Sequence, residues 1–503
     1  MNAKDSRILR KRKQNLRKRL TRRQWPAQSR PMFRAQNIHY EMADRVRAVD
    51  CGALGGFHLL ARNTGLIRQI DDRLQVLKRH LPYYESDHVL NIAYNTLTGG
   101  NCLDDIELRR NDEAYMDALG AQRIPDPTTA GDFTRRFAEQ DVLALLEAVN
   151  SIRPRMWKKG LKGSERKEAI LDVDGTLAPT TGECKEGMGL AYNGVWGYHP
   201  LLVSLANTQE PLYLVNRSGN RPSHDGAAEW LDRAIALVGK SFERVCLRGD
   251  TDFALTANFD RWTKDGVRFA FGKDAAKNLV DMAEGLDKGR WRALERRQRL
   301  PSDRKKRGRP VNVKEQIVVE KEYKNITLEK EHVAEIRYQP SKCKQPYRLI
   351  VLRKKLVVER GQIMLCDDVR YFFYITNIEE MSPAEVVLFS NERCNQENLI
   401  EQLKNGLNAL RMPVGDLVSN WAYMVMSSLA WTLKAWFALL VRHTQRRDEL
   451  LKMEFRRFLN TIVRLPTQII RGGRRIVFRI LAYNEWTRTL LQTYDTIGQL
   501  RLA

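Results

Sequence analysis

The sequence predicts a mixed α+β and α/β chain built around one sheet-centred core, on three observations. Apolar spacing is helical from about residue 44 to 150, then changes at residue 168 to the period of strands. A strand meander, a helix and another strand follow before residue 250. A second strand-rich block then separates them from an amphipathic helix around residue 397, after which the pattern is again largely helical.

Residues 1–40 form a basic arm, RKRKQNLRKRLTRR followed by the Pro-containing WPAQSRP. Such a run is solvated when alone and tracks phosphates when a polyanion is present. Residues 41–160 read as a helical, DNA-binding-type domain: GGFHLLARNTGLIRQIDDRLQVL, HVLNIAYNTLTGG and DPTTAGDFTRRFAEQDVLALLEAV, with Asp126 or Thr128 able to cap the last. Across 161–254, EAILDVDGT, GYHPLLVSLA and PLYLVNR read as three strands, DGAAEWLDRAIALV as a helix and RVCLRG as a strand. That order is the first part of an RNase-H-like core.

Residues 255–370 read as a basic and β-rich insertion domain. GLDKGRWRALERRQRLPSDRKKRGRPVNV suggests a basic helix and a basic loop; QIVVEKEYKNITLE, AEIRYQP and YRLIVLRKKLV suggest strands. The core resumes over 371–412, with FYITNI as its fifth strand and a helix through NERCNQENLIEQLK. Residues 413–503 form a helical C-terminal region, in which the Gly pair at 472 and 473 suits a turn from a helix end into a strand-like run. NWAYMVMSSLAWTLKAWFALLV is nearly long enough to span a bilayer, but Lys434, Asn420, Ser427, Ser428 and Thr432 mark it as a buried helix of a globular domain.

A formal charge of +24 over 503 residues, spread along the chain, calls for a polyanionic partner, nucleic acid and not a membrane. Seven scattered cysteines with no C-x-x-C pair give neither a disulfide framework nor a zinc ribbon, and suit a reducing cytoplasm. The first residues carry no secretory signal pattern. Eight histidines show no ligand spacing, and no P-loop or dinucleotide fingerprint implies a nucleotide cofactor.

Three carboxylates can be read as one metal site: Asp174 in AILDVDGT, Asp250 in VCLRGDTDF, and Glu397. Two strand-end acids and a helical one are what a pair of Mg²⁺ ions needs for phosphodiester chemistry. On a regular helix Arg393, Glu397 and Lys404 fall within about 40° of arc, so one face offers a metal ligand between two phosphate-gripping cations. Asp172, which alternates onto the face of Asp174, reads as a buried neighbour or a supporting carboxylate, and Asp252 as a loop cap. Glu392 and Glu401 compete with Glu397 but lack one or both cation spacings.

The spacing Arg393-x3-Glu397-x6-Lys404 resembles part of the Tyr-Arg-Glu-Lys signature of bacterial DDE transposases. GGNCLDDIELRRN, DPTTAGDFTRRF, LDVDGT, GYHPLLVSLA, RGDTDF, FYITNI and RCNQENLIEQLK are similar to the insertion-sequence family numbered thirteen-eighty. The signature's Tyr falls at Ser390, and the family's D-x-T/S pattern matches Asp174-Gly175-Thr176. The resemblance implies a transposase that binds terminal repeats and carries out Mg²⁺-dependent cleavage and strand transfer. It implies two metal ions per site with Mn²⁺ able to substitute, transposon-end and target DNA as partners, a homodimeric synaptic complex, and a cytoplasmic, nucleoid-associated location.

LDVDGT also matches the first motif of haloacid-dehalogenase-type phosphatases, a rival reading; a catalytically inactive DNA binder is another. Against the phosphatase stand the strand meander after the motif, Ala254 where a second acid belongs, and the charge of the chain. KKRGRP at 305–310 resembles the core of an AT-hook, which enters an A·T-rich minor groove.

Overall fold

A computed structural model describes residues 3–20, 38–40, 46–80, 82–180, 182, 184–191, 193–296, 324–360, 364–472 and 475–501. The described part of the basic arm is a helix, α1 (Ala3–Leu20), not a free tail. Leu9 and Leu16 are half-buried along one side of it, and Arg12 Nη1 donates to the carbonyls of Ile480 (3.0 Å) and Ala482 (3.3 Å). WPAQSRP lies outside the described residues.

A two-residue strand, β1 (Ala48–Val49), leads into α2 (Leu54–Asn63), α3 (Leu66–Arg73), α4 (Glu85–Leu97), α5 (Pro127–Thr134), α6 (Glu139–Asn150) and α7 (Arg153–Gly160). Asp126 rather than Thr128 caps α5: its carboxylate accepts from the Thr129 N–H at 2.9 Å, with Pro127 in the first turn.

The apolar alternation of LDVDGT and its successors then builds a meander, β2 (Glu168–Gly175), β3 (Leu201–Leu205) and β4 (Glu210–Val215), all antiparallel. Helix α8 (Ala227–Val238) carries the chain over one face, so that β5 (Arg244–Gly249) lies parallel to β2. Helix α9 (Phe259–Lys264) and β6 (Arg268–Lys273), parallel to β5, follow directly. The strand beside β5 is therefore RFAFGK and not FYITNI. Its short, wholly buried run between basic ends carries no alternation to mark it.

Beyond it come β7 (Arg292–Ala293), β8 (Lys324–Tyr338), β9 (Tyr347–Arg360) and β10 (Met364–Thr376). FYITNI ends β10, which pairs antiparallel with β6 at Phe373↔Lys273 through Thr376↔Ala270. The strands expected to form a separate insertion domain thus continue the core's own sheet, in the order β7-β8-β9-β10-β6-β5-β2-β3-β4. GRWRALERR is not a helix where it is described: Lys288–Arg290 is a single 3-10 turn and β7 pairs with β8. KKRGRP lies outside the described residues.

After β10 the chain forms α10 (Pro383–Asn391), α11 (Cys394–Glu401), a π turn at Gln402–Gly406 and the long α12 (Leu417–Leu439). Helix α12 is enclosed by protein. Its Trp421 and Trp431 indoles donate to the carbonyls of Leu214 and Gln209, both at 2.6 Å. Lys434 donates to the Leu451 carbonyl at 3.0 Å and sits 3.6 Å from the Trp431 ring centre; burial holds its pKa well below the usual lysine value. Among the described residues no helix is long and apolar enough to cross a membrane. Glu210 ties the sheet to the helices by accepting from Arg153, Trp157 Nε1 (2.7 Å) and Trp436 Nε1 (3.0 Å).

The C-terminal region is not helical throughout. After α13 (Thr444–Lys452), RLPTQII supplies a strand, β11 (Thr467–Gly472), which forms a hairpin with β12 (Arg475–Ile480) and pairs with β1 at Ala48↔Gln468. Gly472 ends β11, and Gly473 lies outside the described residues. Helix α14 (Thr487–Gly498) follows.

Candidate active site

The register of two parallel strands sets the geometry. Asp172 on β2 is paired with Arg248 on β5, and side chains alternate along a strand. Two residues farther on, Asp174 and Asp250 leave the sheet side by side on the face already occupied by the Asp172–Arg248 pair. Asp250 Oδ1 also accepts from the Asp252 N–H at 3.1 Å, so the acid that caps this turn is Asp250 itself, and Asp252 is exposed.

Arg393, Glu397 and Lys404 do not lie on one regular helix, as their spacing suggested. Arg393 is the N-cap of α11 and Lys404 belongs to the π turn that ends it. Arg393 still reaches two of the acids. Arg393 Nη1 donates to Asp174 Oδ2 at 3.1 Å and its Nη2 to Glu397 Oε1 at 3.4 Å. Burial lowers the Lys404 pKa, opposed by the charge of Glu401 and then by that of Asp174.

Burial sets the state of these acids more than their neighbours do. Burial raises the Asp174 pKa to about 7 against the opposing pull of Arg393, with smaller upward pushes from the charges of Asp250 and Glu397. Burial also raises Asp250, again opposed by Arg393. Carboxylate oxygens are the hard donors that suit a hard divalent cation. Among the described residues, however, no three His, Cys, Asp or Glu side chains stand close enough to share one ion, and Arg393 lies between two of the acids.

Asp172 is the buried, hydrogen-bonded neighbour. Arg248 holds it with a two-armed fork, Nε to Oδ1 at 2.7 Å and Nη2 to Oδ2 at 3.0 Å, and both side chains are excluded from solvent. Glu392 lies 3.6 Å from Arg248, and Glu401 accepts from Asn405 at 2.7 Å.

Ser390, at the signature Tyr position, is buried and its hydroxyl has no partner among the described residues. A phenol arrives from elsewhere: Tyr374 on β10 donates to Asn391 Oδ1 at 3.3 Å. Tyr374, Ser390, Asn391, Arg393 and Asp250 share a cavity of about 340 Å³. Sequence reasoning missed Tyr374, and also His199, whose Nε2 would lie 2.9 Å from a Cβ placed on Gly175. Glycine there lets the imidazole lie against the strand end that carries Asp174. The one signal for it in the sequence is GYHP itself, and a lone His without ligand spacing gives no reason to single it out.

No curated protein matches the chain. Among solved structures it is similar to the cryo-EM structure of a piggyBac transposase synaptic complex with hairpin DNA, at 9% identity and a TM-score of 0.36, over 90% of this chain and 88% of that one. The family model described as transposase DDE domain group 1 matches residues 50–502, nearly the whole length. The acids at two adjacent strand ends, answered by a helix start that adds a third, stand within that match, and the chain belongs to this family of DDE transposases.

Proposed function

We propose that this transposase binds the terminal repeats of an insertion sequence of the thirteen-eighty type and catalyses DNA cleavage and strand transfer at Asp174, Asp250 and Glu397. The observation that carries the reading is the emergence of Asp174 and Asp250 together from parallel β2 and β5, with Arg393 bridging to Glu397. The strand order β6-β5-β2-β3-β4, with only β3 antiparallel to both its neighbours, supports an RNase-H-like core.

Asp174, Asp250 and Glu397 would hold a pair of Mg²⁺ ions, with Mn²⁺ able to replace them. Bound divalent ions supply activation of a hydroxyl nucleophile and neutralisation of the leaving oxygen. The chain's own part is positioning. Arg393 offers a planar fork to a phosphate once it lets go of Asp174, and Lys404 a point charge beside it. Water attacks first and frees a 3′-hydroxyl, which then attacks target DNA. No ATP is consumed, because each bond broken is exchanged for another. The charge of +24 supports DNA as the partner, and a homodimer holding two ends together belongs to the same reading.

The haloacid-dehalogenase alternative falls with the family and with the topology, since β2 is followed by antiparallel strands. Incubation of purified protein with Mg²⁺ and DNA carrying the element's terminal repeats, read on a denaturing gel, tests the proposal. It requires nicks at the repeat ends, and cleavage that ignored the repeats would refute it.

A further inference from the structure

The acid on α11 has little of its own to hold it in place. Glu397 is exposed, its ion pair with Arg393 spans 3.4 Å, and α11 is a short helix ending in a π turn. We propose that Gln396 and Arg248 are positioning residues that seat the start of α11 and the end of α10 before it on the sheet, and so fix Glu397 opposite Asp174 and Asp250. This inference rests on the reading of those three carboxylates as one metal-dependent site.

Gln396 precedes Glu397, so its side chain is turned about 100° from it around the helix and enters the sheet. There its Nε2 donates to the Asp172 carbonyl on β2 at 3.0 Å and to the Leu202 carbonyl on β3 at 3.2 Å, with the side chain buried. One amide thus spans the two strands at the level of Asp174, which is itself paired with Leu202. Arg248 makes the second tie from β5. Besides its fork on Asp172, its Nη1 donates to the Phe389 carbonyl in the last turn of α10 at 2.9 Å, and its guanidinium lies 4.8 Å from the Phe389 ring centre.

The two ties attach three strands to the segments just before Arg393 and just before Glu397. Each is a buried polar group that loses its partners if the helix lifts, so an unseated α11 leaves donors and carbonyls unsatisfied away from water. A seat of this kind is set by the fold and not by the ligand, which is how a supporting shell preorganises acids for an ion or a reacting phosphate. Neither residue needs to touch DNA.

Hydrogen exchange and Mg²⁺ titration of the full-length protein test this with Gln396→Met, which keeps side-chain length and removes both donated bonds. Amides of 393–401 should exchange at least about tenfold faster while β2, β3 and β5 keep their protection. The Mg²⁺ concentration for half-maximal end cleavage should rise by about tenfold or more, and the Tm gain on adding Mn²⁺ should shrink, with end-DNA affinity unchanged. Arg248→Lys keeps a charge beside Asp172 but loses the arm to Phe389; it should shift the same readouts in the same direction, and decides the matter if Gln396→Met does not fold. Exchange and Mg²⁺ dependence both at wild-type values would overturn the proposal. So would a uniform acceleration of exchange across all segments, which marks a stability role only. A wild-type protein that cuts no end DNA would sink the functional reading instead, while the exchange comparison would still decide whether Gln396 seats the helix.

Discussion

Arg393 donates to Asp174 at 3.1 Å, yet this acid titrates near 7 and not near 4. A guanidinium at that distance ordinarily pulls a carboxylate pKa down. Here burial outweighs it, with Asp250 and Glu397 pushing the same way more weakly, so the ionised form is disfavoured by loss of solvent before anything else.

The consequence for stability has a definite sign. Between about pH 4, where the unfolded Asp releases its proton, and about pH 7, where the folded Asp174 does, the native state holds the extra proton. Stability contributed by protonated Asp174 is therefore present below pH 4 and lost as pH rises toward 7. Asp174→Asn should stabilise the metal-free protein at pH 8 by ~1–4 kcal/mol and give no gain at pH 4. Urea unfolding at the two pH values checks this; an equal difference at both would show that Asp174 is not the strained acid.

Cleavage should be lost with any of the three acids while DNA binding survives. Asp174→Ala, Asp250→Ala and Glu397→Ala should each slow end nicking by at least about 10³-fold, about 4 kcal/mol. Affinity for end DNA should hold or tighten, because a negative charge beside the phosphates is gone. Gel-shift and single-turnover nicking separate the two effects. Normal nicking by one variant removes that residue from the site.

Asp174 and Asp250 could be placed at strand ends from the sequence, because AILDVD and RVCLRGD each carry the apolar residues of a strand. The Asp172–Arg248 pair could not be read there. It depends on the parallel register of two strands separated by a meander and a helix, and no local pattern encodes that. RFAFGK hid for a related reason, being buried on both faces, and its pairing with β10 merges the expected insertion into the core sheet. Lys404 was singled out by a regular helical spacing that the π turn breaks.

The basic arm should add affinity without sequence preference. Lys4, Arg7, Arg10, Lys11, Lys13 and Lys18 face solvent on α1, while Arg12 anchors the helix to the backbone after β12. Deleting residues 1–24 should flatten the dependence of log K on log salt by roughly 0.9 for each phosphate that the arm no longer neutralises. Fluorescence anisotropy with end and unrelated DNA across a salt series measures it, and an unchanged slope would leave α1 without a role on DNA.

Two residues three apart at the end of α11 give the sharpest comparison. Lys404 is half-buried, and burial lowers its pKa against the opposing charges of Glu401 first and then Asp174. Glu401 is exposed and accepts from Asn405 at 2.7 Å, and its charge acts on Lys404 and not on Asp174. Lys404→Ala should therefore slow end cleavage or strand transfer by about tenfold or more, a loss of about 1.4 kcal/mol or greater, whereas Glu401→Ala should change either step by less than about threefold. Both variants keep the apolar seat of α11, since Leu399, Ile400 and Leu403 supply it, so a difference between them reports the polar face. If Glu401 proved essential for metal-dependent cutting and Glu397 dispensable, the third acid would lie one helical turn later, and the pairing of Arg393 with Glu397 would be an ion pair of the helix start with no part in the chemistry.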